Sequence, residues 1–250
     1  PVVEMQFSGF SYLMMHQLEG NASRMRTRSR GQFTVPLVVR MPYGGGVRAL
    51  EHHSESKEVY WAHTAGIKVV IPSSPANAGP LLTAAIQDPD PVVFMEPKRS
   101  YRSFKEVVDK DKNSVAIGKA HVVETGKDIT IISWGAMMRD TLKAVEAMKS
   151  QTGFQPEVID LLTISPMDVS TIVTSVKKTG RCVVVQEAQQ SFGPASEIIA
   201  VINDQALMYL EAPVKRVAMY DVVMPLFARE QFYLPTVTDI SRAITETVNF

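Results

Sequence analysis

The sequence predicts an α/β protein of two doubly wound, mostly parallel sheets, and three observations carry that prediction. Short apolar runs alternate with helical stretches from Val2 to Met95. The alternation lapses after Lys98, where the chain turns charged, and it restarts at Asp128 and continues to Val248. Strands separated by helices imply right-handed crossovers, which put helices on both faces of a buried parallel sheet. A chain of 250 residues, 45% hydrophobic, holds enough apolar material for one large core or two ordinary ones. The expected division is residues 1–104, a connector over 105–127, and residues 128–250.

In the first half, Val2 to Gln6 reads as the body of a strand. Chain termini are usually loose, so a strand at the first residue is expected to continue a fold begun upstream. Phe10, Leu13, Met14, Gln17, Leu18, Asn21, Ala22 and Met25 recur at helical spacing and predict one long helix. Arg24, Arg26, Arg28 and Arg30 would fan around its end, either as charges suited to a helix C-terminus or as a phosphate site. Leu37 to Arg40 is a strand, followed by a loop with Gly44, Gly45 and Gly46 and a helix from about Glu55 to Thr64. Ile67 to Ile71 is the next strand, closed by Pro72. The helix after Ser74 runs through Ile86 and places Pro80 in its first turn. Asp88-Pro-Asp-Pro91 turns into strand Val92 to Met95.

The stretch from Lys105 to Asn113 is charged without sustained apolar periodicity, as a connector would be. Beyond it come strand Asp128 to Trp134, helix Met137 to Met148 and strand Glu157 to Leu161. Asp168 is placed to cap a helix reaching Lys177. Strand Cys182 to Gln186, helix Pro194 to Asn203, strand Val214 to Val217 and helix Asp239 to Val248 complete the pattern.

Composition removes several function classes. Lys plus Arg and Asp plus Glu both number 26, so the formal charge is zero and no broad nucleic-acid or membrane surface is expected. Cys182, the single cysteine, sits in an apolar run and has no partner for an internal disulfide, which favours a reducing compartment. No apolar run approaches the roughly 20 residues a bilayer span requires.

The richest chemistry lies between Met41 and Glu58, where three consecutive glycines precede His52 and His53. Glycines admit close approach to a ligand, and an imidazole beside such a gap suits general acid or base work. A purely structural histidine is an equally open reading at this point. With Glu51 the only adjacent carboxylate and no cysteine nearby, a zinc site is disfavoured. The chain has no G-x-x-x-x-G-K-[ST], no G-x-G-x-x-G after a strand, no G-x-S-x-G and no H-E-x-x-H, which weakens simple nucleotide, dehydrogenase and serine-hydrolase readings.

Several segments together resemble a known family. Val3-Glu-Met-Gln-Phe-Ser-Gly-Phe10, Pro42-Tyr-Gly-Gly-Gly46 with His53-Ser-Glu-Ser56, Gly66-Ile-Lys-Val-Val-Ile-Pro72, Asp88-Pro-Asp-Pro-Val-Val-Phe94 and Val185-Gln-Glu-Ala-Gln189 are similar to the beta subunit of the thiamine-diphosphate-dependent first component of 2-oxoacid dehydrogenase complexes. The resemblance runs in one order from Pro1 to Phe250. It implies an N-terminally truncated pyrimidine-binding domain followed by a transketolase C-terminal-type domain, within an α2β2 heterotetramer. It implies oxidative decarboxylation of a 2-oxoacid, pyruvate first, and reductive acylation of the lipoyl group of a dihydrolipoyl acyltransferase core. Phe10 matches the family's aromatic residue on the aminopyrimidine ring, and Gln6 lies on the same segment. His53 matches the active-site histidine near the reacting carbon, whereas His52 has no counterpart. Leu37, Ala85, Asp88 and Asp90 match positions whose oxygens, largely main-chain, hold potassium; Glu211 and the carboxylate of Phe250 match a patch that docks the acyltransferase. Magnesium would be held by the alpha subunit.

Two departures qualify what the resemblance implies. The family's catalytic glutamate lies upstream of the segment matching Pro1 to Glu4, and Glu4 does not occupy its position; the G-D-G…N diphosphate pattern is also absent. The polypeptide alone is therefore expected to be inactive, and to be the larger part of a beta subunit. A branched-chain 2-oxoacid or acetoin dehydrogenase beta subunit is the alternative within this chemistry. A single-chain enzyme like deoxyxylulose-phosphate synthase would need the diphosphate motif in the same chain, and a non-catalytic scaffold fragment is the reading from another class. The expected location is the cytoplasm of a bacterium, or the mitochondrial matrix in a eukaryote.

Overall fold

The computed structural model describes residues 1–108 and 115–250. Ten strands are assigned among them: β1 (Val2–Glu4), β2 (Val38–Tyr43), β3 (Lys68–Val70), β4 (Val92–Pro97), β5 (His121–Glu124), β6 (Ile129–Ser133), β7 (Pro156–Asp160), β8 (Thr163–Ser165), β9 (Cys182–Gln189) and β10 (Lys215–Met219). They form two five-stranded sheets, ordered β1-β2-β4-β3-β8 and β10-β9-β6-β7-β5. Pairing is parallel except at β8 and β5, each an antiparallel edge. The expected pair of mostly parallel α/β sheets is what the chain forms.

The helices are α1 (Tyr12–Gly20), α2 (Met25–Arg28), α3 (Glu51–Ser54), α4 (Glu58–Ala62), α5 (Pro75–Gln87), α6 (Met137–Thr152), α7 (Val169–Thr179), α8 (Pro194–Ala206) and α9 (Val237–Val248). Asp168 caps α7 as expected, accepting the Thr171 N–H at 3.2 Å. The single helix expected from Phe10 to Met25 is instead a 3₁₀ turn at Ser8–Phe10, α1, a second 3₁₀ turn at Ala22–Arg24, and α2. The break falls at Gly20 and Asn21, whose φ and ψ of −122° and −65° are not helical, and the Ser23 hydroxyl donates back to the Glu19 carbonyl at 2.7 Å.

Three further differences matter. The helix expected at Glu55 starts at Glu58, because Glu55 is extended and its carbonyl is taken by the Ser8 hydroxyl at 2.8 Å and the Gly44 N–H at 3.3 Å. In α5, Pro75 rather than Pro80 fills the first position, and Pro80 lies inside the helix. Residues 121–124, expected as connector, form β5; Val122 and Val123 are exposed, so this strand has no apolar face to read. The rest of the expected connector includes residues 109–114, which lie outside the described residues.

The two sheets share one core. A single apolar cluster runs from Met41, Trp61, Ile71 and Val93 of the first half to Trp134, Ile159, Val184 and Ile198 of the second, all nearly inaccessible. Each such aliphatic or aromatic side chain contributes about 1.5–3 kcal/mol by leaving water. Strand β8 reinforces the join, since its residues come from the second half yet pair with β3, Val70 opposite Thr163.

Candidate functional site

In open parallel sheets, ligands collect outside the carboxyl ends of the strands. At that end of β1 and β2 the chain bends sharply. The Met5 N–H still bonds the Arg40 carbonyl at 2.8 Å, Phe7 is extended, and the turn Ser8–Phe10 then lies against α3. Gly9 permits this, for a Cβ there would overlap the carbonyl oxygen of His52. Phe7, Phe10, His52 and His53 are thereby gathered.

The two histidines differ in this setting. His52 stacks on Phe10, ring centroids 5.7 Å apart and planes 19° apart, with its side chain 58% exposed and Nδ1 3.2 Å from Glu51 Oε1. His53 stands edge-on to two rings, 4.5 Å from Phe7 and 5.3 Å from Phe10, and is half-buried. Its Nδ1 is buried and meets no partner among the described residues. A buried ring nitrogen with no partner is costly unless a ligand or solvent satisfies it. Phe10 is half-buried; Gln6 is exposed on the same segment. The ammonium of Lys98 lies over Phe7 at 5.9 Å and over Tyr101 at 4.4 Å. The histidines sit on the one-turn helix α3 rather than in a loop.

The triple glycine is packed closely by the rest of the chain. A Cβ on Gly44 would come within 2.6 Å of Glu187 Oε1, one on Gly45 within 2.5 Å of Met224 Cε, and one on Gly46 within 2.8 Å of Arg99 Cδ. The close approach is to side chains of the protein itself, chiefly from the second half.

Those side chains form a buried polar layer that the sequence reading missed. Glu187 Oε1 accepts the Gly45 N–H at 2.5 Å, and Glu187 Oε2 lies 3.4 Å from the Arg99 guanidinium, which also reaches Asp140 at 3.1 Å. Burial pushes the Glu187 carboxyl above its ordinary range despite Arg99 and the Gly45 N–H. Glu58 is also buried; burial pushes it up to about 7, against its own backbone N–H and the Trp134 indole. At the end of β7, Asp160 accepts the Ser73 hydroxyl and the Asn77 amide, and burial pushes it up to about 7 as well. The available signal was a glutamate inside the apolar run of β9.

The residues expected to hold potassium meet at the opposite end of the first sheet. The Leu37 carbonyl accepts the Val92 N–H at 2.9 Å, and the Ala85 carbonyl accepts the Asp88 N–H at 3.4 Å. Their neighbouring carboxylates are already paired: Lys68 grips both oxygens of Asp88 at 2.7 and 2.6 Å, and Arg26 holds Asp90 at 2.6 Å. Each carbonyl keeps a second lone pair, so a cation here would rest on main-chain oxygens. Among the described residues no cluster of three His, Cys, Asp or Glu side chains is arranged for a metal. Glu211 is exposed and pairs with Arg181 at 2.5 Å; Phe250 is exposed after α9. No helix among the described residues is long and apolar enough to cross a membrane.

Comparison with known proteins follows the same division of the chain. Residues 1–103 match the family model for the transketolase pyrimidine-binding domain, and residues 118–240 that for the transketolase C-terminal domain. The pyruvate dehydrogenase E1 component subunit beta of Acholeplasma laidlawii is 50% identical over 235 residues, covering 94% of this chain and 72% of that protein. The subunit of the same name from Bacillus subtilis is 46% identical over 250 residues, covering 100% and 77%. Among solved structures, a split gene transketolase described as an inactive beta4 tetramer superposes with a TM-score of 0.76 at 21% identity, over 100% of this chain and 76% of that one; it speaks for the fold alone.

Proposed function

The chain belongs to the family of pyruvate dehydrogenase E1 component beta subunits, and from that premise we propose that, with an alpha subunit, it decarboxylates pyruvate and passes the acyl group to a lipoyl carrier. It is the beta subunit of a thiamine-diphosphate-dependent 2-oxoacid dehydrogenase, catalytic only with its partner subunit. The observation that carries the site assignment is the unpartnered, buried Nδ1 of His53 between the rings of Phe7 and Phe10.

Thiamine diphosphate, when bound, supplies the carbanion stabilisation that decarboxylation of a 2-oxoacid needs. The roles proposed for this chain's residues combine the family resemblance with their surroundings. Phe10 offers a flat apolar surface suited to a heteroaromatic ring, and Gln6 places an amide on the same segment. His53 is the group to orient the substrate carboxylate and to hold or release a proton at a ring nitrogen, with the two phenyl rings keeping water from its inner side. His52, exposed and paired with Glu51, is left out of this role. Main-chain oxygens of Leu37, Ala85, Asp88 and Asp90 are the ligands for a structural potassium ion, and magnesium falls to the alpha subunit. Glu211 and Phe250 are the contacts for the acyltransferase core. The proposed setting is the bacterial cytoplasm.

The test is to co-express a full-length beta subunit containing these residues with an alpha subunit and supply thiamine diphosphate and magnesium. Decarboxylation is then compared on pyruvate and on branched-chain 2-oxoacids. Pyruvate is expected to give the highest kcat/KM. Faster turnover of branched-chain substrates would reassign the substrate, and a properly assembled enzyme inert on every 2-oxoacid would defeat the reading.

A further inference from the structure

The segment that delivers His53 has little internal means of keeping its course. Arg48 and Leu50 have φ of 57° and 67°, in the left-handed region that costs a non-glycine residue about 1–2 kcal/mol. Such a path persists only where the surroundings hold it. The hold comes from the other half of the chain. Glu187, on β9, accepts the Gly45 N–H. Glu230 accepts both the Gly46 N–H and, at 3.2 Å, the Val47 N–H through one oxygen, Oε1. Both residues are 3% exposed, so these bonds face little competition from water. Met224 and Leu234 close around the tip at Gly45. On the far side of α3, the Glu55 carbonyl is fastened by Ser8 and Gly44. The imidazole of His53 thus hangs on a short backbone span clamped at each end.

We propose that Glu187 and Glu230 are positioning residues for His53, by which the second half of the chain sets the imidazole's place through the backbone of Gly45, Gly46 and Val47. The inference rests on the reading of His53 as a working residue. It explains why two carboxylates are buried at a loop whose glycines pack against side chains of the same chain. A buried carboxylate is costly to desolvate, and here the N–H groups of Gly45, Gly46 and Val47 offset that cost. What the carboxylates add is direction, since each fixes a particular N–H.

The experiment separates position from activity. In the full chain labelled with ¹⁵N-histidine, the ring signals of His53 are assigned with His53→Asn and followed through a pH titration. Glu230→Ala is expected to move the His53 signals and its titration midpoint, Glu230→Gln to restore most of both because an amide oxygen still accepts, and Glu157→Gln, which weakens the half-buried pair with Lys178 far along the chain, to leave them unmoved. In the assembled enzyme Glu230→Ala is expected to lower kcat/KM by roughly tenfold to a hundredfold, the scale of a misplaced group. Where Glu230→Ala fails to fold, Glu230→Asp, which keeps the charge but shortens the reach, and Glu187→Met, which removes the acceptor for the Gly45 N–H, take its place with the same expectation. Folded variants in which His53 is unmoved, or a Glu157→Gln effect of equal size, would overturn the proposal. If the signals move while His53→Ala leaves turnover intact, positioning stands and the working role of His53 falls; if His53→Ala abolishes turnover while the signals stay put, the reverse holds.

Discussion

The indole N–H of Trp134 donates to Oε1 of Glu58 at 3.3 Å, joining the end of β6 to the first residue of α4 across the boundary between the two sheets. The second oxygen of Glu58 is buried without a partner among the described residues. A neutral carboxyl fits that setting better than a charged one, and it makes the junction sensitive to pH.

Burial raises Glu58 from 4.5 to about 7 and Asp160 from 3.8 to about 7. Each carboxyl keeps its proton in the fold over a range where the unfolded chain has lost it. Stability therefore falls as pH rises from about 4 to about 7 and levels off above. At 1.36 kcal/mol per pH unit, Glu58 accounts for roughly 3 kcal/mol of that fall and Asp160 for roughly 4. Glu58→Gln and Asp160→Asn should each shrink the difference between urea midpoints at pH 5 and pH 7.5. A difference unchanged in both variants would mean that these groups are ionised in the fold.

His52 and His53 offer a paired comparison, since they are neighbours in sequence with different surroundings. In the assembled enzyme His53→Ala is expected to lower turnover or acyl transfer by on the order of 10²-fold, the lower range for a lost acid or base. His52→Ala should stay within about twofold of the parent, as befits an exposed side chain. Equal losses in steady-state assays would count against the assignment.

Gly45→Ala puts a methyl group against Met224 Cε and Leu234 Cδ2. Overpacking of this kind costs about 1–3 kcal/mol. The penalty should shrink in a Met224→Ala background, where space has been opened, and a double-mutant cycle on chemical denaturation reads the coupling. A strictly additive pair would show that the glycine loop is not held between these side chains.

Potassium should raise the thermal midpoint over tetramethylammonium at equal ionic strength, through main-chain oxygens at Leu37, Ala85, Asp88 and Asp90. Asp90→Asn should keep most of this difference, because the Asp90 carboxylate is already engaged by Arg26. Equal midpoints in the two salts would remove potassium from the reading.

Much of the framework was legible because burial writes itself into composition. Val38, Val39, Val92, Val93 and Ile129 to Ile132 belong to strands covered on both faces, and such strands read as apolar runs. The Asp168 cap was legible because it acts within three residues. Strand β5 was hidden by its exposure, and β8 by its length of three residues. Helix α3 follows two left-handed non-glycine residues, a turn that no local residue type announces. At the site, His53 and Phe10 could be singled out from a resemblance, but their meeting depends on Gly9 lying on the backbone of His52. Arg99, Glu187 and Glu230 went unread for a related reason: their partners are distant in sequence, and spacing says nothing of a contact across 142 residues.

Strand β8 has a consequence for anyone wishing to divide or recombine this protein. Cut within 105–127, the N-terminal piece would expose the flank of β3 that Thr163–Ser165 now covers, a row of unsatisfied amides and carbonyls prone to recruit strands from other molecules. The C-terminal piece would carry a short extended stub with nothing to pair against. Chimeras between relatives should therefore exchange β3 and β8 together, and limited proteolysis near the connector should yield fragments that stay associated rather than two independently soluble modules.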